Sequence, residues 1–307
     1  MISNLTLIII IPKKVWEYGS GVINNGQRST VNRQPLTVNR QPYLCPMNIS
    51  LLNKNAVICG SSQGIGLAAA QELAFNGANC FLMARNPDAL QKAVNSLFKS
   101  GSQTHRGITV DFNDPSAVEQ AIKKLTAEMR IEILVNNTGG PKAGPILDAP
   151  TDAFEAAFRQ HLVCNQILVQ AVVPGMREAG YGRIINIIST SVKTPLANLG
   201  VSNTIRLAVA SWAKTLANEI GRYNITVNNI LPGLTATQRL TDLVKHGASL
   251  QKIESSIVET QLRESIPMKR FGRPEEIAQV IAFLASPAAS YVNGTNIAVD
   301  GGRTPAL

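Results

Sequence analysis

From Met47 onward, short apolar runs alternate with stretches in which apolar residues recur three and four positions apart. The first run is "NAVICG" (Asn55 to Gly60), and the helical spacing of "GLAAAQELAFNG" follows it and ends at Gly77. Six further apolar runs continue the alternation, namely "NCFLMA", "RGITVDF", "IEILVNN", "GRIINIIS", "NITVNNILPG" and "TNIAVDGG". Alternating strands and helices predict a parallel sheet with helices on both faces. The sequence therefore predicts one doubly wound α/β domain over residues 47–307, with a seven-stranded, mostly parallel sheet.

Residues 1–46 do not share this alternation. Their apolar run, "LTLIIII", is too short to span a bilayer, and the basic residues follow it, whereas in a signal peptide they precede it. A tandem repeat, "TVNRQPL" and then "TVNRQPY", is polar and too short to bury a core. We interpret residues 1–46 as a disordered tail or as upstream DNA read as protein, with Met47 as the true start. A functional tethering segment is the alternative.

Composition and charge narrow the classes of function. The chain has 45% hydrophobic and 16% charged residues, as is typical of a globular protein, and its net charge of +9 suits an anionic cofactor. No run rich in Lys and Arg with interleaved aromatic residues occurs, so we expect no nucleic-acid partner. The four cysteines have neither CxxC nor His-linked spacing, which argues against a metal site and is typical of reduced thiols. We expect a cytoplasmic protein that binds no membrane and no metal.

The first turn from strand to helix is "GSSQGIG", with glycines at positions 60, 64 and 66. Glycine lets the backbone turn tightly and approach a pyrophosphate, which then lies at the N-terminus of the helix. A purely structural turn is the alternative, but a strand ends before this loop, a helix starts in it and a second strand follows. This order predicts the dinucleotide-binding loop of a Rossmann fold.

The second strand ends in "MARN", where Rossmann proteins that prefer NAD place an Asp or Glu for the ribose 2′-hydroxyl. Here Ala84 and Arg85 occupy this place, so the acid is missing and a guanidinium is available for a 2′-phosphate. A solvated surface arginine is the alternative. We predict NADP(H) as the cofactor.

Further motifs, in order along the chain, resemble those of the short-chain dehydrogenase/reductase family. They are "VDF" at Val110, "NNTG" at Asn136, "GRIINIIS" at Gly182, "NNILPGLTAT" at Asn228 and "FLASPAASYVNGTNIAVDGG" at Phe283. The resemblance extends from Leu52 to Gly302, and the general likeness is to the 3-oxoacyl-acyl-carrier-protein reductase type, an activity of fatty acid biosynthesis. It implies a single Rossmann domain that binds NADP(H).

The resemblance also implies which residues contact the cofactor, whether or not the chain is catalytic. In chain order they are the phosphate-binding Gly60, Ser62, Gln63, Gly64, Ile65 and Gly66, the ribose-binding Arg85, the adenine-flanking Asp111 and Phe112, and, around the nicotinamide and its ribose, Asn137, Gly139, Arg206, Pro232, Gly233 and Thr235.

The catalytic positions depart from the family pattern. Members place Tyr and Lys as YxxxK on the helix after the fifth strand, with a serine at the end of that strand and an asparagine in the preceding long helix. The serine is present as Ser189, and His161 replaces the asparagine. Ser202 replaces the tyrosine and Arg206 replaces the lysine. A tyrosine phenol titrates near pH 10 and a neighbouring cation lowers its pKa, whereas a serine hydroxyl cannot replace it as general acid.

Three functions remain open at this point. In the first, the chain is an NADP(H)-dependent carbonyl reductase in which Ser189 and Arg206 stabilise the developing alkoxide, and water or His161 supplies the proton. Its substrate would be a small-molecule carbonyl or an acyl thioester; a purely structural role is the alternative for His161. In the second, the chain binds NADP(H) without turnover, as a sensor or a non-catalytic subunit. In the third, the fold hosts a different reaction on a ligand beside the nicotinamide.

Two more segments carry expectations from the resemblance. Residues 238–267 follow the sixth strand. The resemblance implies that this region forms a lid over the substrate, and a pair of surface helices that pack on the core is a compatible interpretation. Their helical spacing predicts an inward stripe made of Leu243, Leu250, Ile253, Ile257 and Leu262. The stretch "FLASPAASYVNGTNIAVDGG" resembles the one through which members form tetramers, so we expect a homotetramer or a homodimer.

Overall fold

The computed structural model describes residues 47–306, and the seven predicted strands within them form one sheet. The strands are β1 (Asn55–Cys59), β2 (Asn79–Ala84), β3 (His105–Thr109), β4 (Ile133–Asn136), β5 (Gly182–Ile187), β6 (Ile225–Pro232) and β7 (Asn296–Val299). They lie in the order β3-β2-β1-β4-β5-β6-β7, and every neighbouring pair is parallel. The predicted doubly wound α/β fold is confirmed, and the sheet is parallel throughout.

Nine α-helices cover the sheet in the described part of the chain. They are α1 (Gly64–Phe75), α2 (Pro87–Asn95), α3 (Pro115–Glu128), α4 (Thr151–Phe158), α5 (Cys164–Ala179), α6 (Gly200–Ile220), α7 (Gln238–Gln251), α8 (Ser255–Glu264) and α9 (Pro274–Ala285). A single π-helical turn, Arg159–Val163, joins α4 to α5. The chain is therefore helical from Thr151 to Ala179, with a local change of helical geometry in the middle of this segment.

The strands are apolar along their whole length because both faces of the sheet are covered. In β1, Ala56 and Ile58 pack with residues of α1, α2 and α9, whereas Val57 and Cys59 pack with residues of α3, α5 and α6. Consecutive residues thus enter opposite cores, as the two-residue repeat of a strand requires. This explains why the sequence shows continuous apolar runs instead of polar and apolar alternation.

The order of the strands reverses between β1 and β4, which are hydrogen-bonded neighbours. The chain leaves β1 towards β2 on one side and leaves β4 towards β5 on the other. At such a switch point the loops after the two strands diverge, and a crevice opens at their carboxyl ends. The glycine loop follows β1 and the "NNTG" segment follows β4, so the fold brings both to this crevice.

A row of asparagines crosses the carboxyl half of the sheet. The side-chain amides of Asn136, Asn186 and Asn229 each donate to the Oδ1 of the next asparagine at 2.8 Å, and the row ends at Asn296. The four residues are register partners on β4, β5, β6 and β7. This asparagine ladder (Asn136, Asn186, Asn229 and Asn296) gives each of three buried side-chain N–H donors an acceptor and links β4, β5, β6 and β7, while the Oδ1 of Asn136 has no partner among the described residues.

The segment after β6 is helical as predicted, but its inward stripe was assigned wrongly in part. Leu250 and Ile257 are exposed, while Leu243, Ile253 and Leu262 do pack against the small core of this segment. That core is formed by Leu240, Val244, Ala248 and Val258. For Ile257 the reason is a break at Lys252, whose φ of +54° ends α7; Leu250 precedes this break, and its exposure has no such explanation. A helical repeat cannot keep its phase across a left-handed residue, so α8 starts a new stripe.

The interpretation of residues 1–46 as a disordered tail or misread upstream DNA lies outside the described residues. Within residues 47–306, none of the helices combines the length and the apolar character that crossing a bilayer requires. The same residues contain no group of three or more His, Cys, Asp or Glu side chains arranged to hold a metal ion.

Candidate active site

The loop between β1 and α1 depends on its glycines. Gly60 and Gly64 have φ values of +57° and +58°, in the left-handed region that favours glycine. A Cβ atom on Gly66 would lie 2.2 Å from the carbonyl oxygen of Gly60, far inside contact distance. The start of α1 and the end of β1 therefore touch through backbone atoms, which is the arrangement that lets a pyrophosphate approach the main chain.

The N-terminus of α1 has the features of an anion-binding site. Among the described residues, no side chain caps this helix, and its first turn contains no acidic residue. The first N–H groups of a helix lack partners within the helix and carry partial positive charge. The predicted phosphate-binding residues Ser62, Gln63 and Ile65 lie in this loop and first turn and are at least partly exposed. Ser61 is different, because its hydroxyl is buried and donates to the carbonyl oxygen of Ile58 at 2.8 Å.

Asn137 fastens the glycine loop to the end of β4. Its side-chain amide donates to the carbonyl oxygens of Cys59 and Gly60 at 3.3 Å and 3.2 Å. A Cβ on Gly60 would lie 2.6 Å from the carbonyl oxygen of Asn137, so the two loops are in direct contact. Gly139, two residues further on, has open space where a Cβ would be. The structure thus gives Asn137 a part in shaping the loop in addition to its predicted cofactor contact.

The three residues predicted to contact the adenosine part of the cofactor have different environments. Arg85 follows β2, is exposed, and makes no hydrogen bond or ion pair with another described residue. Asp111 is exposed, and its Oδ1 accepts from the backbone and side-chain amides of Asn113 at 2.9 Å and 3.0 Å. The Phe112 side chain is buried in the core with α3 and α5. Of these three predicted residues, Arg85 and Asp111 therefore present their side chains at the surface, and Phe112 does not.

A threonine that the sequence did not single out faces the glycine loop. A Cβ on Gly64 would lie 3.4 Å from the Cγ2 atom of Thr237, which places Thr237 directly across the phosphate-binding loop. The predicted Thr235 is instead buried, and its hydroxyl donates to the carbonyl oxygen of Gly233 at 3.1 Å. The "LTAT" motif contains both threonines, and only the fold distinguishes them. Thr237, whose own hydroxyl donates to the carbonyl oxygen of Thr235 at 3.3 Å, is therefore an additional candidate for a contact with the cofactor phosphates, beside the nicotinamide contact predicted for Thr235.

Ser189 and Arg206 lie at the carboxyl end of β5, and Ser202 lies on α6, the helix that carries Arg206. Ser189 accepts a hydrogen bond from the backbone N–H of Ser191 at 3.1 Å, so its own hydroxyl proton remains available to a ligand. Ser202 and Arg206 lie one turn apart on the buried face of α6, with 9% and 8% of their surface exposed. Arg206 reaches back to the sheet, and its Nη1 donates to the carbonyl oxygen of Ile187 at 3.0 Å.

Arg206 is a buried cation with no acidic partner. Among residues 47–306, no carboxylate lies within 4.0 Å of its guanidinium. Burial, and to a smaller extent the positive charge of Arg239, lower the pKa of Arg206 to about 10, so it stays protonated at neutral pH. Its remaining N–H groups are free for a bound ligand. Sequence reasoning found this residue by its place in the SxxxR motif.

Arg239 is a second guanidinium that the sequence analysis missed. It lies in the first turn of α7, where its Nη2 donates to the carbonyl oxygen of Pro141 at 2.7 Å. A Cβ on Gly140 would lie 3.2 Å from the same nitrogen, so the side chain lies flat against the loop after β4. Nothing in the sequence links residues nearly one hundred positions apart, and the contact exists because α7 folds back over that loop.

His161 occupies the π-helical turn between α4 and α5, with 2% of its surface exposed. Its Nδ1 lies 2.5 Å from the Thr138 hydroxyl, and its Nε2 has no hydrogen-bond partner among the described residues. Burial, then the charges of Arg206 and Arg239, lower the pKa of His161 to about 2. The imidazole is therefore neutral at working pH, which argues against the expectation that it supplies the proton. Thr138 lies between two residues of the predicted site but was not itself predicted.

The sequence and the fold resemble those of known proteins. The family model described as Enoyl-(Acyl carrier protein) reductase matches residues 60–304. The NADPH-dependent reductase BacG of Bacillus subtilis is 30% identical over 256 residues, which are 83% of this chain and 99% of that protein. The 3-oxoacyl-[acyl-carrier-protein] reductase FabG of Vibrio cholerae is 31% identical over 257 residues, which are 83% of this chain and 98% of that protein.

Among solved structures, the L-sorbose reductase from Gluconobacter frateurii, complexed with NADPH and L-sorbose, superposes on this chain with a TM-score of 0.79. The two are 33% identical, and the match covers 85% of this chain and 100% of the other.

Proposed function

Since this chain belongs to the short-chain dehydrogenase/reductase family, we propose that it is an NADP(H)-dependent oxidoreductase that reduces a carbonyl, either a 3-oxoacyl thioester or a related ketone. The observation that carries the proposal is the buried guanidinium of Arg206. It lies at the end of β5 with Ser189 and one turn past Ser202 on α6, has no acidic partner in the described part of the chain, and so offers free donors to an oxygen that gains negative charge.

NADP(H) fits the residues on the other side of the crevice. The glycine loop and the uncapped start of α1 suit a pyrophosphate, and Thr237 lies across from them. Arg85 presents an exposed guanidinium where an NAD-preferring protein would have an acid. Two relatives support NADP(H) as the cofactor, because BacG is NADPH-dependent and the sorbose reductase structure contains NADPH. When bound, the cofactor supplies the hydride.

The protein's residues then act on the carbonyl oxygen. The Ser189 hydroxyl donates to this oxygen and Arg206 stabilises its developing charge, and both are held in place by backbone contacts before the substrate arrives. We assign the proton to water instead of His161, because the imidazole is neutral.

The test is NADPH oxidation with a panel of ketones and 3-oxoacyl thioesters. We expect the natural protein to turn over, and Arg206→Met to lower kcat about 10²- to 10³-fold, the loss typical of removing one oxyanion donor. The Ser202→Tyr, Arg206→Lys double variant restores the family motif and is the matched control. A double variant no faster than the natural protein supports a working Ser/Arg site.

A catalytically silent NADP(H)-binding protein, acting as a sensor or a subunit, is the second candidate function. It is favoured because none of Ser189, Ser202 and His161 readily gives up a proton near neutral pH: serine hydroxyls are very weak acids, and the imidazole is neutral. If only the double variant turns over, the pocket accepts a carbonyl but the natural chain lacks the proton donor, and this second function replaces the first.

We also propose a homo-oligomer, either a tetramer or a dimer. The support is an apolar hollow of about 330 Å³ between α4 and α6, lined by Phe154, Phe158 and Ile205 among others. Phe158 and Leu207 are also exposed on these two helices. Light scattering should give a mass that is two or four times the 32.9 kDa of one chain. A monomer would contradict this part of the proposal.

The state of the cysteines supports our proposal that the protein lies in a reducing compartment such as the cytoplasm. Cys59, Cys80 and Cys164, the three cysteines among the described residues, are buried and unpaired. Burial raises the pKa of each thiol, that of Cys164 to about 11, so none is a reactive thiolate at neutral pH.

A further inference from the structure

Thr138 provides a further hydroxyl at the carboxyl edge of the sheet, one strand away from Ser189. Asn136 on β4 and Asn186 on β5 are register partners. Thr138 lies two residues past the first of them and Ser189 three residues past the second, so both follow neighbouring strand ends, which are about 4.8 Å apart. Thr138 is partly exposed. The crevice thus has a hydroxyl, on Thr138, to which the reaction proposed above gives no part.

The Thr138 hydroxyl is held by His161. The two residues are 23 positions apart in the chain, and the Oγ1 atom of Thr138 lies 2.5 Å from the Nδ1 atom of His161. His161 belongs to the π-helical turn between α4 and α5 and is 2% exposed, so its ring is closed to a ligand. The other ring nitrogen, Nε2, has no partner among the described residues. Any effect of this histidine on a bound ligand therefore passes through Thr138.

The burial of Nε2 indicates which ring nitrogen carries the proton. Burial, then the charges of Arg206 and Arg239, lower the pKa of His161 to about 2, so the imidazole is neutral and has a single N–H. In folded proteins a buried N–H without an acceptor is rarer than a buried acceptor without a donor. We therefore assign the proton to Nδ1, which donates it to the Oγ1 atom of Thr138.

This tautomer leaves the hydroxyl proton of Thr138 for a ligand. A hydroxyl has one proton and two lone pairs, and His161 uses one of the lone pairs. The Thr138 side chain forms no other hydrogen bond with a described residue. Its neighbour Asn137 is bonded to two carbonyl oxygens at the end of β1 and in the glycine loop, and its neighbour Gly139 has open space where a Cβ would be. The free O–H group thus lies between the glycine loop and an open part of the crevice.

The order of the strands decides which half of NADP(H) would reach Thr138. β1 lies between β2 and β4, and the glycine loop that follows β1 is the proposed pyrophosphate site. Arg85 follows β2, so the adenosine half would extend to that side of the loop. The nicotinamide half then extends to the other side, over the end of β4, where Thr138 lies.

We propose that the Thr138 hydroxyl binds the nicotinamide ribose and that His161 is the positioning residue that orients this hydroxyl. The inference rests on the proposed binding of NADP(H). The ribose is the group next to the pyrophosphate, and the open side of Gly139 leaves room for it beside Thr138. The ribose hydroxyls accept the proton that Thr138 has free. His161 thus acts on the cofactor through Thr138 and gives up no proton in the reaction.

The first experiment compares NADPH with 2′,5′-ADP, which has the phosphorylated adenosine half but no nicotinamide ribose. Calorimetry measures the Kd of each. Thr138→Val should raise the Kd for NADPH about 3- to 10-fold, the loss typical of one neutral hydrogen bond, and leave the Kd for 2′,5′-ADP unchanged. Thr138→Ser keeps the hydroxyl and should bind NADPH as the natural protein does. Thr204→Val is the matched control, because the Thr204 hydroxyl already donates to the carbonyl oxygen of Gly200 at 3.1 Å within α6.

A double-mutant cycle tests the positioning role of His161. His161→Phe removes both ring nitrogens and should weaken NADPH as much as Thr138→Val does, and the double variant should lose no more than either single variant. His161→Asn keeps an amide donor the same number of bonds from the backbone as Nδ1 and should restore binding. Unchanged binding of 2′,5′-ADP shows that a variant is folded. If His161→Phe does not fold, the Thr138 variants and His161→Asn still decide the outcome.

The outcomes separate this inference from the proposed function. If Thr138→Val binds NADPH as tightly as the natural protein and ketones are reduced, the ribose contact is wrong and the reductase function is retained. If Thr138→Val weakens NADPH selectively but no ketone is reduced, the contact is retained and the reductase function fails. Additive losses in the double variant would show that His161 does not act through Thr138. A natural protein that does not bind NADPH would overturn both proposals.

Discussion

Replacing His161 by asparagine should make the protein more resistant to acid. The imidazole is buried, and its pKa is lowered to about 2 by burial, then by Arg206 and Arg239. Above pH 6.5, the ordinary value for histidine, the residue is neutral in both the folded and the unfolded chain and has no effect on pH dependence. Below pH 6.5 the unfolded chain gains a proton that the folded chain refuses. The free energy of unfolding therefore falls as the pH falls from 6.5 towards 2.

The size of this effect follows from linkage. Each pH unit between the two pKa values changes the free energy of unfolding by about 1.4 kcal/mol. Between pH 7.5 and pH 5.0, His161 should therefore cost the natural protein about 2 kcal/mol of stability. This figure requires only that the pKa in the folded state lies below about 4, because at pH 5.0 the folded residue is then still neutral.

Urea denaturation of the natural protein and of His161→Asn at pH 7.5 and pH 5.0 measures this difference. The acid-induced loss of stability should be about 2 kcal/mol smaller in the variant, because titration of the carboxylates is common to both proteins and cancels. Thr138→Val is the control: it removes the hydroxyl beside Nδ1 and should lower stability equally at both pH values. An identical pH dependence in the natural protein and His161→Asn would refute the reasoning. It would mean that the pKa of His161 is the same in the folded and the unfolded chain, and the histidine would again be a candidate proton donor.

In fluorescence titrations, Arg85→Ala should raise the Kd for NADPH about 10- to 100-fold and leave the Kd for NADH unchanged. An equal loss of affinity for both cofactors would contradict a contact between Arg85 and the 2′-phosphate. Gly66→Ala should lower the free energy of unfolding by about 1–3 kcal/mol, since its Cβ would overlap a backbone oxygen. Gly144→Ala, with open space around the new Cβ, should change stability by less than about 0.5 kcal/mol, and similar effects at the two glycines would contradict the packing argument. Asn186→Ala leaves two neighbours in the asparagine ladder unpaired and should lower the free energy of unfolding, measured by urea denaturation, by about 2–4 kcal/mol. Asn296→Ala, at the exposed end of the ladder, should lower it by less than about 1 kcal/mol. Equal losses at the two asparagines would show that burial of the ladder does not set its contribution.

Much of the fold was predictable because its signals are local. An apolar run such as that of β1 identifies a strand covered on both faces, and the three glycines of the loop after it meet a steric requirement that few other residues satisfy. The doubly wound sheet was therefore predicted and is confirmed. The predicted inward stripe of residues 238–267 was wrong at Ile257, because a single left-handed residue at Lys252 resets the helical phase and no composition signal marks it.

The candidate site divides in the same way. Motif spacing predicted Ser189, Ser202 and Arg206 as site residues. In the structure Ser189 follows β5, Arg206 donates to the last residue of β5, and Ser202 lies one turn before Arg206 on α6. Thr237 and Thr235 could not be told apart in sequence, because which of them faces the glycine loop depends on how the turn after β6 folds. The roles of all these residues in catalysis and cofactor binding stay predictions.

The order of strands and helices and the glycine loop were predictable from the sequence, since each depends on residues close together in the chain; the replacement of the family's tyrosine and lysine by Ser202 and Arg206 stays a prediction. The charge state of His161 and the partners of Arg206 and Arg239 appear only in the packed fold. These properties depend on burial and on Coulomb interactions between residues far apart in sequence. Desolvation and charge act through space, and the distances that set them exist only once the sheet, α6 and α7 have packed together.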